Sequence, residues 1–470
     1  MKKLLKQSIS VLAATTLCVS MIMGCSTGKE KPEKEETKEK TSSDISGELN
    51  IAVFQGGIGD TYWYDMIEKF EKKYPDVTVN MNINPKIGEI IKPQIVAGNV
   101  PDFISLNMAE SSGVVASLVK ENALMELTDI FEEPLEGDSA PLKDKFLDGV
   151  IGSNLTCPYG DDKIYLAPFD SGPMGLVYNK TLFEEKGWEV PVTWDDFFAL
   201  GELAKEDTFQ VGDKEEKGRA LLTYPGIYPQ YMRNFLFVAL AQNGGTDAVN
   251  KFSKYEDGSA LNEPTKTYLE KIPELVEKGY LLEGNAALNH TQSQGEMLLG
   301  KALFIPSGVW MVNEMVDAPR EKGFEYGMCP VPTMKEGDPK FIAASNEQFS
   351  IPAKAKNPDA AKAFLKFLYS EESIKSLAEN SGVLYATKDA AELCEGILED
   401  DILNMYKEAY ADSKSVFCVT DPIPQGGNID VNQEMYHKYF TKMVEGTMTV
   451  EEYLKNIENA WSEVRGFQAE

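Results

Sequence analysis

A tryptophan beside hydrogen-bonding side chains is the clearest candidate for chemistry in this sequence. The apolar run 301–305 is typical of a buried strand, and a Pro-Ser-Gly turn ends it, so Trp310 lies just past a strand end. Asn313 and Glu314 follow closely. Ligands collect beyond the carboxyl ends of strands in open α/β sheets, and a flat apolar ring beside amide and carboxylate groups suits a sugar. The alternative is a core aromatic that covers the start of the next helix.

Alternating strands and helices are predicted to position further polar side chains early in the chain. The hydrophobic pattern predicts strands at 48–54, 77–81 and 102–106 and helices at 61–74, 87–97 and 110–120. This βαβαβα order predicts a parallel sheet with helices on both faces. The loop at 55–60 is rich in glycine, but Tyr62 stands where a dinucleotide-binding loop needs its third glycine.

The sequence lacks the common hydrolase motifs. It has no G-x-S-x-G nucleophile elbow and no H-E-x-x-H pair, and its two histidines, His290 and His437, lack metal-ligand spacing. Both are expected on surfaces or helix faces, although His290 could also line a cleft. We therefore predict a binding protein rather than an enzyme, with no cofactor and no metal.

The N-terminus has the features of an export signal. Three lysines precede an apolar stretch, so residues 1–24 are predicted to be a signal peptide. The following Cys25 stands in a context that resembles a bacterial lipobox, which makes it the predicted lipidation site; a plain secretory peptide is the alternative. Residues 25–46 would be the lipidated cysteine and a disordered tether, since this stretch is too polar to bury.

Composition narrows the range of partners. The formal net charge of −29 argues against nucleic acid or an anionic membrane surface and favours neutral or cationic ligands. Four cysteines of the body, Cys157, Cys329, Cys394 and Cys418, form no C-x-x-C pair, so buried thiols are expected. Only a pairing of Cys394 with Cys418 stays open.

Ordered blocks of sequence resemble the family 1 extracellular solute-binding proteins of ABC importers. Each block is short, but their order is specific and they cover nearly all of the chain after residue 46. The blocks are KIYLAPF at 163–169, GLVYNK at 175–180, TWDDF at 193–197, NGG at 243–245, GKALFIPSGVW at 300–310, GMCPVP at 327–332, NPDAAKAFLKFL at 357–368 and GTMTVEE at 446–452. The sequence around Trp310 is most similar to the sequences of family members that bind N-acetylglucosamine and its short oligomers.

The resemblance implies a two-lobed α/β clamp of the periplasmic-binding-protein type. Each lobe would be a mainly parallel sheet flanked by helices, and the chain would cross between the lobes three times, near 168–171, 343–350 and 380–385. The first lobe would hold residues 47–169 plus 349–382, and the second would hold residues 171–347 plus 385–470.

The resemblance also implies that ligand contacts come from strand ends on both sides of a cleft. Aromatic rings would take the apolar face of a pyranose, and amides and carboxylates would pair with its hydroxyls. Asp60 could instead cap the following helix, and Tyr231, chosen over Tyr228, could instead pack in the core. The implied ligand-binding residues are Trp310, Tyr231, Asp170, Phe169, Gln55, Asp60, Asn107, Glu110, Asn313, Asn346, Glu347, Asn428 and Asp430.

The function implied by the resemblance is capture of an extracellular sugar or oligosaccharide for an ABC importer. The protein would be a monomer, lipid-anchored to the outer face of the bacterial cytoplasmic membrane, and lobe closure would present it to the permease. Two alternatives stay open. One is a polyamine or peptide receptor of the same fold, which an acidic cluster inside the cleft would favour. The other is a secreted glycoside hydrolase that uses Asp170 and Glu347 as its carboxyl pair.

Overall fold

The computed structural model describes residues 45–468 apart from Gly57, Ala109, Ser111, Val419 and residues 422–428. The predicted signal peptide, Cys25 and the tether up to residue 44 lie outside the described residues. The described residues belong to one compact unit. Within the part of the chain that is described, no helix combines the length and the apolar character needed to cross a bilayer.

The chain alternates between strands and helices through most of its length. The strands are β1 Gly47–Phe54, β2 Val77–Asn84, β3 Phe103–Ser105, β4 Ala167–Pro168, β5 Asp170–Asn179, β6 Thr208–Val211, β7 Lys214–Lys217, β8 Ala220–Leu222, β9 Ala302–Gly308, β10 Tyr326–Cys329, β11 Lys340–Ser345, β12 Gln348–Ser350, β13 Leu384–Tyr385 and β14 Ser413–Phe417. The α-helices are α1 Thr61–Lys73, α2 Ile87–Val96, α3 Val114–Lys120, α4 Thr128–Glu132, α5 Lys180–Lys186, α6 Trp194–Glu206, α7 Arg233–Ser253, α8 Glu263–Leu269, α9 Lys271–Glu277, α10 His290–Leu298, α11 Met311–Glu314, α12 Pro358–Leu368, α13 Glu371–Ser381, α14 Ala390–Leu393, α15 Asp400–Tyr410, α16 Phe440–Val444 and α17 Val450–Gln468.

A five-stranded sheet in the order β2-β1-β3-β12-β4 confirms the predicted strand–helix alternation at the start of the chain. β1 pairs in parallel with β2 and β3, and Trp63, Met66 and Phe70 of α1 are fully buried in the core. The helix predicted to begin at residue 110 begins at Val114 instead. The reason is local: Gly113 has a left-handed φ of 64°, which is incompatible with a helix running through it.

The second sheet corrects the expectation that each lobe is mainly parallel. It has seven strands built around β5, with β14-β11-β5-β9-β8 as its main path. β5 pairs antiparallel with β9, β10, β11 and β13, and only the β8–β9 and β11–β14 pairs are parallel. The physical reason is direction: β5 carries the chain away from the first sheet, whereas β11 carries it back to β12. Adjacent strands that lead the chain away from the first sheet and back to it must be antiparallel.

The chain passes between the two sheets at Phe169, between β4 and β5, and again at residues 346–347, between β11 and β12. One buried cluster joins the first sheet to one face of the second, and another cluster, which includes Trp194 and Trp461, covers the opposite face. The predicted α/β fold class is therefore confirmed, whereas the lobe boundaries stay predictions. The four cysteines in the described residues are free thiols, three of them buried, so Cys394 and Cys418 are not paired.

Candidate functional site

Four predicted site residues meet where the chain passes between the sheets. The Nδ2 of Asn107, just after β3, donates to the Asn346 carbonyl at 2.9 Å. The Nδ2 of Asn346 donates to the Asp170 carbonyl, and the Glu347 N–H donates to Oδ1 of Asp170 at 2.6 Å. We call these four residues the crossing cluster. Their hydrogen bonds tie the end of β3, the start of β5 and the β11–β12 connection into one polar unit.

Burial gives the two carboxyl groups of the crossing cluster an unusual affinity for protons. It raises the pKa of Asp170 to about 6, against the opposing effect of the Glu347 N–H. Burial likewise raises the pKa of Glu347 to about 8; the charges of Asp170 and Glu110 add to this, and hydrogen bonds from Asn107 oppose it. Burial therefore favours the protonated form of Glu347 near neutral pH, in which its carboxyl group can donate as well as accept a hydrogen bond.

The crossing cluster has an unused polar atom and a polar neighbour, Glu110. The buried Oδ1 of Asn346 has no hydrogen-bond partner among the described residues, which makes it a fixed acceptor. Glu110 accepts from the Ser112 N–H at 2.9 Å and also from the Ser112 hydroxyl. A Cβ at Gly88 would collide with that hydroxyl, so Gly88 allows α2 to approach the turn closely. Ser112 was not predicted to belong to the site.

Trp310 forms a second group, at the junction of β9 and α11. Its ring lies directly over Gly308, where a Cβ would collide with it. The residue is partly exposed and packs on the second core cluster, so it serves the core and also offers a surface. Glu314 ends the single turn of α11 that Trp310 precedes. Burial raises the pKa of Tyr231, and the nearby charge of Glu314 adds to that effect.

Sequence reasoning missed Gln294, which completes this group. Its Nε2 donates to Oε2 of Glu314 at 2.9 Å, and its own side chain is buried. The Oε1 of Gln294 has no partner within the described part of the chain. The sequence signal that could have identified Gln294 was its helical spacing, because Gln294 shares the buried face of α10 with Met297 and Leu298. We call Trp310, Tyr231, Glu314 and Gln294 the tryptophan cluster.

Asn313 and the loop after β1 lie near the end of α13. The Nδ2 of Asn313 is 3.8 Å from the point where a Cβ of Gly382 would be. The neighbouring Ser381 hydroxyl donates to the Ile58 carbonyl at 2.8 Å, within the loop that begins at Gln55. The structure therefore brings α11, the end of α13 and this loop together.

Asp60 occupies the N-cap position of α1, but its side chain makes no capping hydrogen bond. The alternative that Asp60 serves as a helix cap is thus not realised. Its half-buried carboxylate remains a candidate contact in the loop after β1.

Phe169 is a correction to the predicted site. Its side chain is fully buried, with ring centroids 4.4 Å from Phe349 and 5.1 Å from Tyr385. The reason is the alternation of side chains along extended backbone, which points neighbouring residues to opposite faces. Asp170 belongs to the crossing cluster, and Phe169 consequently points into the core.

Asp430 is exposed, and its Oδ1 accepts from the N–H groups of Asn432 and Gln433 at 3.0 and 3.1 Å. Its carboxylate therefore serves to begin the next helical turn, as an N-cap does. Asn428 lies outside the described residues. Within those residues, no group of three or more His, Cys, Asp or Glu side chains is placed to hold a metal ion.

The sequence matches one known protein family, and it is similar to sugar-binding proteins and to a solved structure. Residues 56–375 match the family described as bacterial extracellular solute-binding protein. The diacetylchitobiose-binding protein NgcE of Streptomyces coelicolor is 24% identical over 390 residues, covering 80% of this chain and 78% of that protein. The multiple sugar-binding protein of Streptococcus mutans is 24% identical over 76% of this chain and 79% of its own. The apo structure of RafE from Streptococcus pneumoniae, 18% identical, superposes with a TM-score of 0.65 over 91% of this chain and 100% of its own.

Proposed function

Because this chain belongs to the family of bacterial extracellular solute-binding proteins, we propose that it captures a sugar or oligosaccharide and delivers it to the permease of an ABC importer. The observation that carries this proposal is the tryptophan cluster: a partly exposed ring is held over Gly308, and Glu314, one helical turn further on, accepts from the buried Gln294 amide and adds to the effect of burial in raising the pKa of the Tyr231 phenol. A pyranose presents an apolar face to such a ring and hydroxyls to such polar groups.

The proposed ligand class is an N-acetylglucosamine-type sugar or a short oligomer of it. The crossing cluster supports this choice, since its amide and carboxyl groups can pair with both the hydroxyl and the acetamido groups of such a ligand. NgcE, named for diacetylchitobiose binding, is similar in sequence to this chain over most of both proteins.

The proposal includes a lipid anchor at Cys25 and a monomeric receptor outside the cytoplasmic membrane. A tether between Cys25 and the folded body would hold the body near the bilayer. The predicted bounds of 25–46 are wrong at their end, because Ile45 is buried in the core and the Ser46 carbonyl accepts a hydrogen bond from Nδ2 of Asn357 at 2.9 Å. Support comes from the lipobox-like context of Cys25. Labelling with a radioactive fatty acid should mark the wild-type protein and leave Cys25→Ser unlabelled.

The test of ligand capture is a calorimetric titration of the purified protein with N-acetylglucosamine oligomers and a panel of other sugars. One intact sugar should bind saturably, and Trp310→Ala should weaken binding about tenfold or more. Trp310→Phe, which keeps an aromatic ring, should lose less affinity than Trp310→Ala. Equal binding by wild type and Trp310→Ala would contradict the proposed site, and release of cleaved sugar would instead point to a glycosidase.

A second candidate function is binding of a cationic ligand such as a polyamine. It is favoured by the concentration of Asp170, Glu347 and Glu110 around the crossing, where the charges of Asp170 and Glu110 add to the effect of burial in raising the pKa of Glu347. A polyamine titrated in the same way should bind only if this candidate holds, and such binding should weaken steeply with salt.

A further inference from the structure

Two loops beside the tryptophan cluster are locked to each other. The Oδ1 of the buried Asn285 accepts from the Thr223 hydroxyl at 2.9 Å and from the Tyr224 N–H at 2.8 Å. Gly226 approaches so closely that a Cβ there would collide with the Cα of Ala286. Residues 223–228 and 285–290 therefore form one rigid support.

This support carries a pair of rings that the core does not use. The rings of Tyr228 and His290 have centroids 5.9 Å apart, tilted by 52°. Tyr228 is 38% exposed and its neighbour Ile227 is 47% exposed, whereas most large apolar side chains of the described residues are buried. A rigidly held aromatic surface that is open to solvent fits a binding surface better than it fits a packing role.

The pair of rings is continuous with the tryptophan cluster. The Tyr231 N–H donates to the Tyr228 carbonyl at 3.1 Å, so both tyrosines belong to one tight turn. His290 and Gln294 are four residues apart on α10 and therefore share a face, separated by about 6 Å along the helix axis. Gln294 then holds Glu314, one helical turn beyond Trp310.

We propose that Tyr228 and His290 bind a second ring of the ligand, so that the protein selects sugars of two or more rings over single sugars. This inference rests on the proposed function. Trp310 lies at the junction of β9 and α11, whereas Tyr228 and His290 lie on the support formed by two other loops, so the two aromatic surfaces belong to different elements and can each take one ring of a ligand. Only an oligomer gains stacking at Trp310 and at Tyr228 together.

The test is calorimetric titration of the full-length protein with N-acetylglucosamine, its dimer and its trimer. Wild type should bind the dimer or the trimer more tightly than the single sugar. Tyr228→Ala should weaken dimer or trimer binding about tenfold and leave the affinity for the single sugar unchanged. Tyr228→Phe should retain the preference, and Leu203→Ala, which truncates an exposed residue of α6, should change nothing.

A second variant tests the support rather than the ring. Gly226→Ala should separate the two loops and reduce the same preference, with folding checked by circular dichroism. The inference fails if Tyr228→Ala weakens single sugar and oligomers equally, or weakens neither, while wild type still binds sugar. A wild-type protein that binds none of the three sugars would overturn the inference and the proposed ligand class together.

Discussion

At the scale of single residues, the crossing cluster places two carboxyl groups where proton binding and folding are linked. Asp170 and Glu347 are joined through the Glu347 N–H, and Glu347 also faces Asn107 and Glu110. Burial and like charge disfavour the ionised form of Glu347, so its pKa lies above the unfolded value. The folded state therefore binds more protons than the unfolded state between about pH 4.5 and pH 8.

Stability should consequently fall as pH rises through this window. A carboxyl group with a raised folded-state pKa contributes stability below its unfolded pKa and loses that contribution as pH passes its folded pKa. We expect the Tm of the ligand-free protein to decrease from pH 5 to pH 8, and Glu347→Gln to flatten the decrease. Scanning calorimetry at constant ionic strength measures this. Asp430→Asn, at an exposed carboxylate, is the matched control, and parallel curves for wild type and Glu347→Gln would contradict the assignment.

At the scale of elements, the junction of β9 and α11 determines how Trp310 is presented. β9 is buried along its whole length, so its end has a fixed position in the sheet. Gly308 is its last residue, and the absence of a side chain there lets the Trp310 ring lie on the backbone. The ring's orientation thus depends on the element boundary and not only on the residue.

Gly308→Ala should disturb that junction. The added methyl group collides with the ring, so we expect a loss of about 1–3 kcal/mol in the free energy of unfolding and weaker sugar binding. Gly295→Ala is the matched control, because Gly295 lies within α10 with open space around its Cβ position. Gly295→Ala should increase the free energy of unfolding by about 0.5–1 kcal/mol and bind sugar as the wild type does. Urea unfolding measures the free energies of unfolding, and calorimetry measures sugar binding. Unchanged sugar binding by Gly308→Ala would refute the proposed role of the junction.

At the scale of the whole molecule, the core continues across the chain crossings. One cluster contains Leu49 and Phe103 of the first sheet together with Ile305 and Ile342 of the second. Aromatic contacts of Phe169 with Phe349 and Tyr385 lie at the crossings themselves. The two sheets therefore share apolar packing that neither retains alone.

This continuity predicts a single unfolding transition for the ligand-free protein. Scanning calorimetry should show one peak whose van't Hoff and calorimetric enthalpies agree. Phe349→Ala should lower the Tm of the whole peak rather than split it, since removal of a buried Phe costs about 3–5 kcal/mol. Two resolved transitions in wild type would show that the sheets unfold independently.

Local pattern determined the early elements from sequence alone. The strands and helices between residues 47 and 97 follow the periodicity of their own residues, and the order of short blocks indicated the family and the two-sheet α/β fold. The prediction that Trp310 lies just past a strand end is confirmed, but the prediction that Pro-Ser-Gly at 306–308 forms the turn that ends this strand is wrong, because these residues belong to β9 and pair with β5.

Contacts between distant residues were decided only by the tertiary structure. The antiparallel course of β5, the burial of Phe169 and the partnership of Gln294 with Glu314 depend on chain segments separated by many residues. The facing rings of Tyr228 and His290 likewise belong to two separate loops. Hydrophobic periodicity records which face of an element is buried, because that depends on neighbouring residues. It does not record which other element covers that face, because that depends on packing of the whole chain.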